Sequence, residues 1–269
     1  MKAAFPEDKS DPFDRQRCIN FEGQTYWDQN KLSSQKVLVL GAGGIGSCVA
    51  FNLARIGVGK ITLIDRDVVE TTNLNRQMLY THKDVGKSKA EAAAESLRAN
   101  HIVGKTEVEW HNIDILLHWQ EIVRMAKEST AIFNCVDIGD DFDIVAIELG
   151  KSLGIPVGSA SSYSFTYGTE FWDGKPDSPM PFMYEDARKD LMEMITPNER
   201  LYGYEKIDFL RKNAVPDTRA VGSTVFVAMS GGLNLVNQWT MNLMFGIKFP
   251  RMAIGNMAKM GPETVTGFI

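Results

Sequence analysis

The segment 36–46, KVLVLGAGGIG, limits what this chain can fold into more than any other stretch. A short apolar run, Val37 to Leu40, ends in Gly41-Ala42-Gly43-Gly44-Ile45-Gly46, and a helical pattern follows over 47–56. This order predicts a buried strand over 36–40, a glycine turn and a helix N-terminus. Glycines let backbone approach an anion, and a helix start offers unpaired N–H groups and the positive end of a dipole. The natural guest is a nucleotide.

Composition narrows the class. The 269 residues are 44% hydrophobic and 23% charged, as in an ordinary globular chain. A net charge of −5 argues against bulk nucleic-acid binding. The three cysteines, Cys18, Cys48 and Cys135, form no C-x-x-C pair, so no zinc ribbon and no disulfide framework is expected. The N-terminal 17 residues have no apolar core and are not a signal peptide, which points to the cytoplasm. Residues 220–247 carry no charge. Three asparagines, Gln238 and the pair Gly231-Gly232 make this stretch a helix buried in a core or an oligomer interface, with a glycine break, rather than a membrane span.

In chain order, residues 1–34 read as a polar arm with at most a short helix, and a further helical stretch over 24–34 leads into the first strand. Strands are expected at 60–65, 105–111, 131–136 and 156–159, and helices at 87–100, 116–126 and 141–153. The alternation predicts an α/β fold with a doubly wound, Rossmann-like, mostly parallel sheet over 35–161. Residues 164–172 alternate, with Phe165, Tyr167, Thr169 and Phe171 on one face, and read as an antiparallel extension. A loop at 173–181, short helices at 184–194 and 205–212, and the uncharged helix from about 219 complete a single domain, with no firm element in the tail.

The glycine loop alone suits any dinucleotide site, with Asp65 on the ribose, and so suits an NAD(P)-dependent oxidoreductase. The next loop shifts the balance. Asn73, Arg76 and Gln77 follow the second strand closely, and Lys89 opens the next helix. A dinucleotide needs no such pair of cations, whereas a triphosphate does. Asp137, at the carboxyl end of the fourth strand, stands where Mg²⁺ would be held near phosphates.

With those residues in view, the chain resembles the ThiF/MoeB/ubiquitin-activating family of adenylating enzymes. The matching phrases are DRQ at 14–16, VLVLGAGGIGS at 37–47, ITLIDRDVVETTNLNRQ at 61–77, DVGKSKA at 84–90 and CVD at 135–137. The resemblance implies one adenylation domain over 1–269. Gly41, Gly43, Gly44 and Gly46 would form the ATP loop, and Asp65 would bind the ribose. Asn73 and Arg76 would meet the phosphates, with Gln77 supporting that loop. Lys89 would touch phosphate, and Asp137 would bind Mg²⁺. Arg15 would match an arginine finger supplied across a homodimer interface. The implied reaction joins the α-phosphate of ATP to a carboxylate and releases pyrophosphate.

Departures from the family pattern shape the rest. No cysteine follows Cys135, so neither the zinc-binding pairs of many relatives nor a cysteine in 173–218 to carry a thioester is present. The four histidines, His82, His101, His111 and His118, are scattered and read as structural or solvated. After Asp137 an acidic cluster, Asp140, Asp141 and Asp143, stands where the family shows Asp-Asn, and reads as a solvated helix start. The expected substrate is a carboxylate on a ubiquitin-like sulfur carrier or a ribosomally made peptide, and the 35 residues ahead of the first strand are too few for the larger N-terminal peptide-binding module of some peptide-modifying relatives. The alternatives are an NAD(P)-dependent oxidoreductase and a non-catalytic partner subunit.

Overall fold

The computed structural model describes residues 8–23, 25–138, 140–178, 207, 223–249 and 252–256. The helices expected at 184–194 and 205–212 lie almost wholly outside these residues. A short helix α1 (Asp14–Arg17) and a two-stranded hairpin, β1 (Asn20–Phe21) and β2 (Thr25–Tyr26), precede helix α2 (Gln29–Ser33). Then come β3 (Lys36–Leu40), α3 (Gly44–Ile56), β4 (Lys60–Ile64), α4 (Lys89–Asn100) and β5 (Glu107–His111). Next are α5 (Trp119–Lys127), β6 (Ala131–Asn134), α6 (Asp140–Leu153), β7 (Val157–Tyr163) and β8 (Thr166–Trp172). A long helix α7 (Val225–Phe245) and β9 (Met252–Asn256) complete the described chain.

The seven-stranded sheet has the order β5-β4-β3-β6-β7-β8-β9. Strands β5 to β7 are mutually parallel, and β8 and β9 extend the sheet antiparallel. The parallel strands are buried on both faces, which is why they read as continuous apolar runs. Val37 and Val39 face α3, α4 and α7, whereas Leu38 and Leu40 face α5 and α6. Strand order reverses between β3 and β6. In open α/β sheets the crevice at such a point, beyond the carboxyl ends of the strands, is where ligands bind.

Several elements differ from the sequence reading. Helix α3 starts three residues early, inside the glycine turn, because the last glycines serve as its first turn. Phe165 does not share a buried face with Tyr167. It sits with Ser164 (φ +54°) in the two-residue turn joining β7 to β8 and is 54% exposed. The pair Gly231-Gly232 does not break α7. A Cβ on Gly232 would lie 2.9 Å from Cys48 Cβ and from Ile45 O, so this glycine lets α7 and α3 approach closely. Helix α7 is also not wholly buried, since Phe226 and Leu233 are exposed. Among the described residues no helix is long and apolar enough to cross a membrane.

The N-terminal arm is docked rather than loose. The Phe13 ring covers Gly57, the left-handed residue that ends α3, and Phe21 stacks on Phe245 at the end of α7 at 5.6 Å between ring centres. Gln29 Nε2 donates to Ile56 O at 2.8 Å. Helices α3 and α7 therefore run side by side, with their N-termini on the side of the glycine turn and their C-termini under the arm. Overpacking their contact with Gly232→Val should cost about 1–3 kcal/mol. Chemical denaturation measures this, and an unchanged midpoint would show that the two helices do not touch there.

Candidate active site

The turn after β3 is held tightly in two places. Gly41 has φ +88°, and a Cβ there would lie 2.7 Å from Cys135 O, in the segment that follows β6. A Cβ on Gly46 would fall 2.0 Å from Gly41 O. These two glycines are demanded by the turn's own packing. Gly43 and Gly44 are less crowded: a Cβ on Gly43 would meet only Gln77 Nε2 at 3.8 Å, and one on Gly44 would meet Ala228 Cβ at 3.1 Å and Arg76 Cγ at 3.6 Å. The Ser47 N–H reaches Gly43 O at 2.9 Å and begins the intrahelical pairing. The N–H groups of Gly43, Gly44, Ile45 and Gly46 therefore have no partner within the helix.

Two side chains hold this turn from the protein side. One carboxylate oxygen of Asp65, just past β4, accepts from Ala42 N–H at 2.7 Å, and the other accepts from Asp67 N–H at 2.8 Å. Burial pushes the Asp65 carboxyl above its ordinary range, opposed by these two bonds and by the charge of Lys89. The buried Tyr80 hydroxyl donates to Ala42 O at 2.7 Å and lies 3.2 Å from Lys89 O. Lys89, at the start of α4, is 8% exposed, and its Nζ meets Asp67 at 2.9 Å.

The loop carrying Asn73, Arg76 and Gln77 leans against Gly43 and Gly44. Asn73 closes a 3₁₀ turn, and its side-chain oxygen accepts from Glu70 N–H at 2.9 Å. Gln77 is 3% exposed, with its Oε1 buried and no hydrogen-bond partner among the described residues. Arg76 donates to Thr72 O and Asn75 Oδ1, each at 3.0 Å. Both acceptors are neutral, and no carboxylate of the described residues forms an ion pair with Arg76.

Asp137 is exposed three residues beyond β6, next to the segment that Gly41 touches. Of the acidic cluster that follows, Asp143 does not behave as part of a solvated helix start. Its carboxylate accepts from Asn134 Nδ2, which also reaches Ser159 Oγ at 3.3 Å. Arg15 is not brought to this site. It is exposed on α1, which packs at the far end of α3, and the 13 residues of α3 put it about 20 Å from the glycine turn.

The cysteines and histidines lie in structural settings. Burial pushes the Cys48 thiol up to about 11 and that of Cys135 higher still. Cys18 Sγ lies 3.4 Å from Asp14 O. His111 meets Glu109 at 2.8 Å, and His101 packs edge-on to Phe51. The sequence reading missed Tyr80 and Asp67. No local pattern marks Tyr80, and only the fold shows its hydroxyl under the glycine turn.

The gathered groups form an anion site with one carboxylate at its rim. Unpaired N–H groups, Arg76 and Lys89 suit phosphates, and Asp65 keeps lone pairs for hydroxyl donors. Among the described residues no three His, Cys, Asp or Glu side chains form a cage for a metal. A single exposed carboxylate such as Asp137 instead fits an ion whose other ligands are phosphate oxygens and water, as for Mg²⁺.

Comparison with known proteins bears on this geometry. A model of the ThiF family matches residues 13–166. The chain is 37% identical over 134 residues to the adenylyltransferase and sulfurtransferase uba4 of Neosartorya fischeri, covering 50% of this chain and 24% of that protein. It is 33% identical over 144 residues to the sulfur carrier protein ThiS adenylyltransferase of Bacillus subtilis, covering 52% and 41%. The chain thus spans well under half the length of these curated relatives. Among solved structures, PaaA superposes with a TM-score of 0.64 at 22% identity, covering 86% of this chain and 72% of that one. E. coli MccB with AMPCPP and MccA superposes with a TM-score of 0.61 at 19% identity, covering 85% and 66%. These two likenesses are in fold.

Asp65→Ala would leave two backbone N–H groups without their charged acceptor, at a cost of about 2–4 kcal/mol. Urea denaturation measures this, and a loss below about 0.5 kcal/mol would show that Asp65 does not hold the turn.

Proposed function

This chain belongs to the ThiF family, and on that premise we propose that it uses Mg-ATP to adenylate a carboxylate. One observation carries the reading. Beside the point where strand order reverses, Arg76, with no carboxylate partner among the described residues, packs against Gly44 at the open N-terminus of α3. A dinucleotide oxidoreductase would use the N–H groups and Asp65, but it gives no reason for an uncompensated arginine beside them. A non-catalytic subunit gives no reason for the whole set to be retained.

The chemistry needs positioning and charge more than proton transfer. A carboxylate is already ionised near neutral pH, so its oxygen can attack the α-phosphorus without a general base. The bond to the bridging oxygen breaks, and pyrophosphate leaves with the electron pair. The obstacle is repulsion between two anions. Arg76 offers a planar fork to phosphate oxygens, and the start of α3 offers N–H groups and its dipole. Lys89 is held by Asp67, and phosphate competes with that carboxylate for it. Asp65 holds the ribose hydroxyls, with Gln77 supporting the phosphate loop and Asn73 joining it. Asp137 holds Mg²⁺, which when bound offsets the charge building on the departing pyrophosphate.

Two further elements belong to the proposal. Arg15 lies too far from its own crevice to act there, so we assign it to the site of a second copy in a homodimer, where it meets the phosphates. The acyl-adenylate is captured by a nucleophile of the substrate or of a partner, because burial holds Cys48 and the half-buried Cys135 as thiols and Cys18 lies on the arm at the far end of α3. The substrate is a small protein or peptide bearing a C-terminal or side-chain carboxylate. The relatives named for ThiS, and the MccB structure with MccA, support that class. We place the protein in the cytoplasm.

Carboxylate-dependent exchange of labelled pyrophosphate into ATP tests the reaction. Arg76→Ala and Asp137→Ala should each lower exchange by about 10²–10³-fold with the fold intact. Retained exchange in either would remove that residue from the site. Mixing Arg15→Ala with Asp137→Ala should restore exchange if Arg15 acts across the dimer, whereas a mixture as inactive as its components would place Arg15 elsewhere. Nucleotide affinity should also fall as pH drops into the mildly acidic range. Protonating Asp65, whose carboxyl titrates above the usual range, removes an acceptor for the ribose. An affinity flat down to the ordinary aspartate range would remove Asp65 from the ribose.

A further inference from the structure

The buried Tyr80 has no part in the site as read from the sequence, yet its hydroxyl touches the peptide that leads into the glycine turn. We infer that Tyr80 is a positioning residue for the nucleotide phosphates: it turns the Gly43 N–H outward toward them. This inference rests on the nucleotide reading above.

Two successive peptide units meet at Ala42, and each is held from the protein side by a different group. The 41–42 unit is held through its N–H by Asp65 at 2.7 Å, and the 42–43 unit through its C=O by the Tyr80 hydroxyl at 2.7 Å. Among the described residues all peptide bonds are trans. In a trans peptide the C=O and N–H point in opposite directions. With Ala42 C=O drawn inward onto Tyr80, Gly43 N–H must point outward from the core. Gly43 is the N-cap of α3, and a Cβ there would meet only Gln77 Nε2, at 3.8 Å. Tyr80 is 6% exposed and Ala42 1%, so no water replaces this bond easily. The hydroxyl also lies 3.2 Å from Lys89 O, which joins the turn to the start of the helix that carries Lys89. The phenol has a single proton, and the shorter contact takes it. Without it the 42–43 peptide is free to rotate, and its N–H loses a fixed direction while the strands and core stay in place.

The substitution Tyr80→Phe in the full chain keeps the ring and removes only the hydroxyl. Calorimetric titration with ATP and with adenosine separates its effects. We expect ATP affinity to fall about tenfold, the size of one hydrogen bond to a charged group, while adenosine affinity stays within twofold. Equal losses for both ligands, or no loss for ATP, would overturn the inference. If the unchanged protein binds neither ligand, the nucleotide reading itself fails and this inference with it. Should Tyr80→Phe not fold, amide exchange of the unchanged protein decides the question. Gly43 N–H should exchange rapidly in the free protein and be protected by ATP but not by adenosine. Protection in the free protein would overturn the assignment.

Discussion

Backbone N–H groups at the start of α3 have no carbonyl to bind, and much of the surrounding structure depends on how that deficit is met. A helix start buried without partners is costly, and a helix start opened toward an anion is a binding site. The turn keeps these groups open by drawing its own backbone inward. Gly41 presses on Cys135 O, Asp65 takes the Ala42 N–H, and the Tyr80 hydroxyl takes the Ala42 C=O. Each contact ties the turn to a different strand or loop, so the direction of the N–H groups is set by the sheet. The same packing brings Arg76 beside Gly44 and leaves Asp137 at the rim.

Charge is arranged unevenly around this turn. Asp65 lies on the protein side and is engaged by backbone donors, and the exposed Asp67 is engaged by Lys89. On the open side stands Arg76 with neutral acceptors only. An electrostatic field of this kind favours an anion arriving from solvent, and it is preorganised before the ligand is present. In the proposed reading that anion is the phosphate chain of ATP. Arg15 lies at the other end of α3, about 20 Å from this turn, and in the proposed reading it serves a second copy.

The parallel core, and the placing of the candidate site's glycines and cations at the strand ends, were legible in the sequence for physical reasons. Strands covered on both faces must be apolar throughout, so β3, β4 and β6 stand out as runs, and the glycines and cations at their ends cluster where the strands end. What stayed hidden depends on tertiary partners. Gly231-Gly232 reads as a break because glycine is a poor helix former, yet α3 needs that space. Phe165 fits an alternating strand until the tight turn at Ser164 takes it out of register. Asp143 reads as a solvated helix start because its partner Asn134 is nine residues away on a strand. Nothing local marks Tyr80, whose hydroxyl meets a carbonyl 38 residues back in the chain. The docking of the N-terminal arm needs Gly57 and Phe245, which no local pattern connects to Phe13 and Phe21.

The central claim is that this crevice is built for a triphosphate rather than for a hydride-carrying dinucleotide. Calorimetric titration of the full chain with Mg-ATP and, separately, with NADH and NADPH tests it most directly. The account predicts saturable Mg-ATP binding with one site per chain, lost in Arg76→Ala, and no measurable binding of either dinucleotide. Tight NADH or NADPH binding together with no binding of Mg-ATP would contradict it.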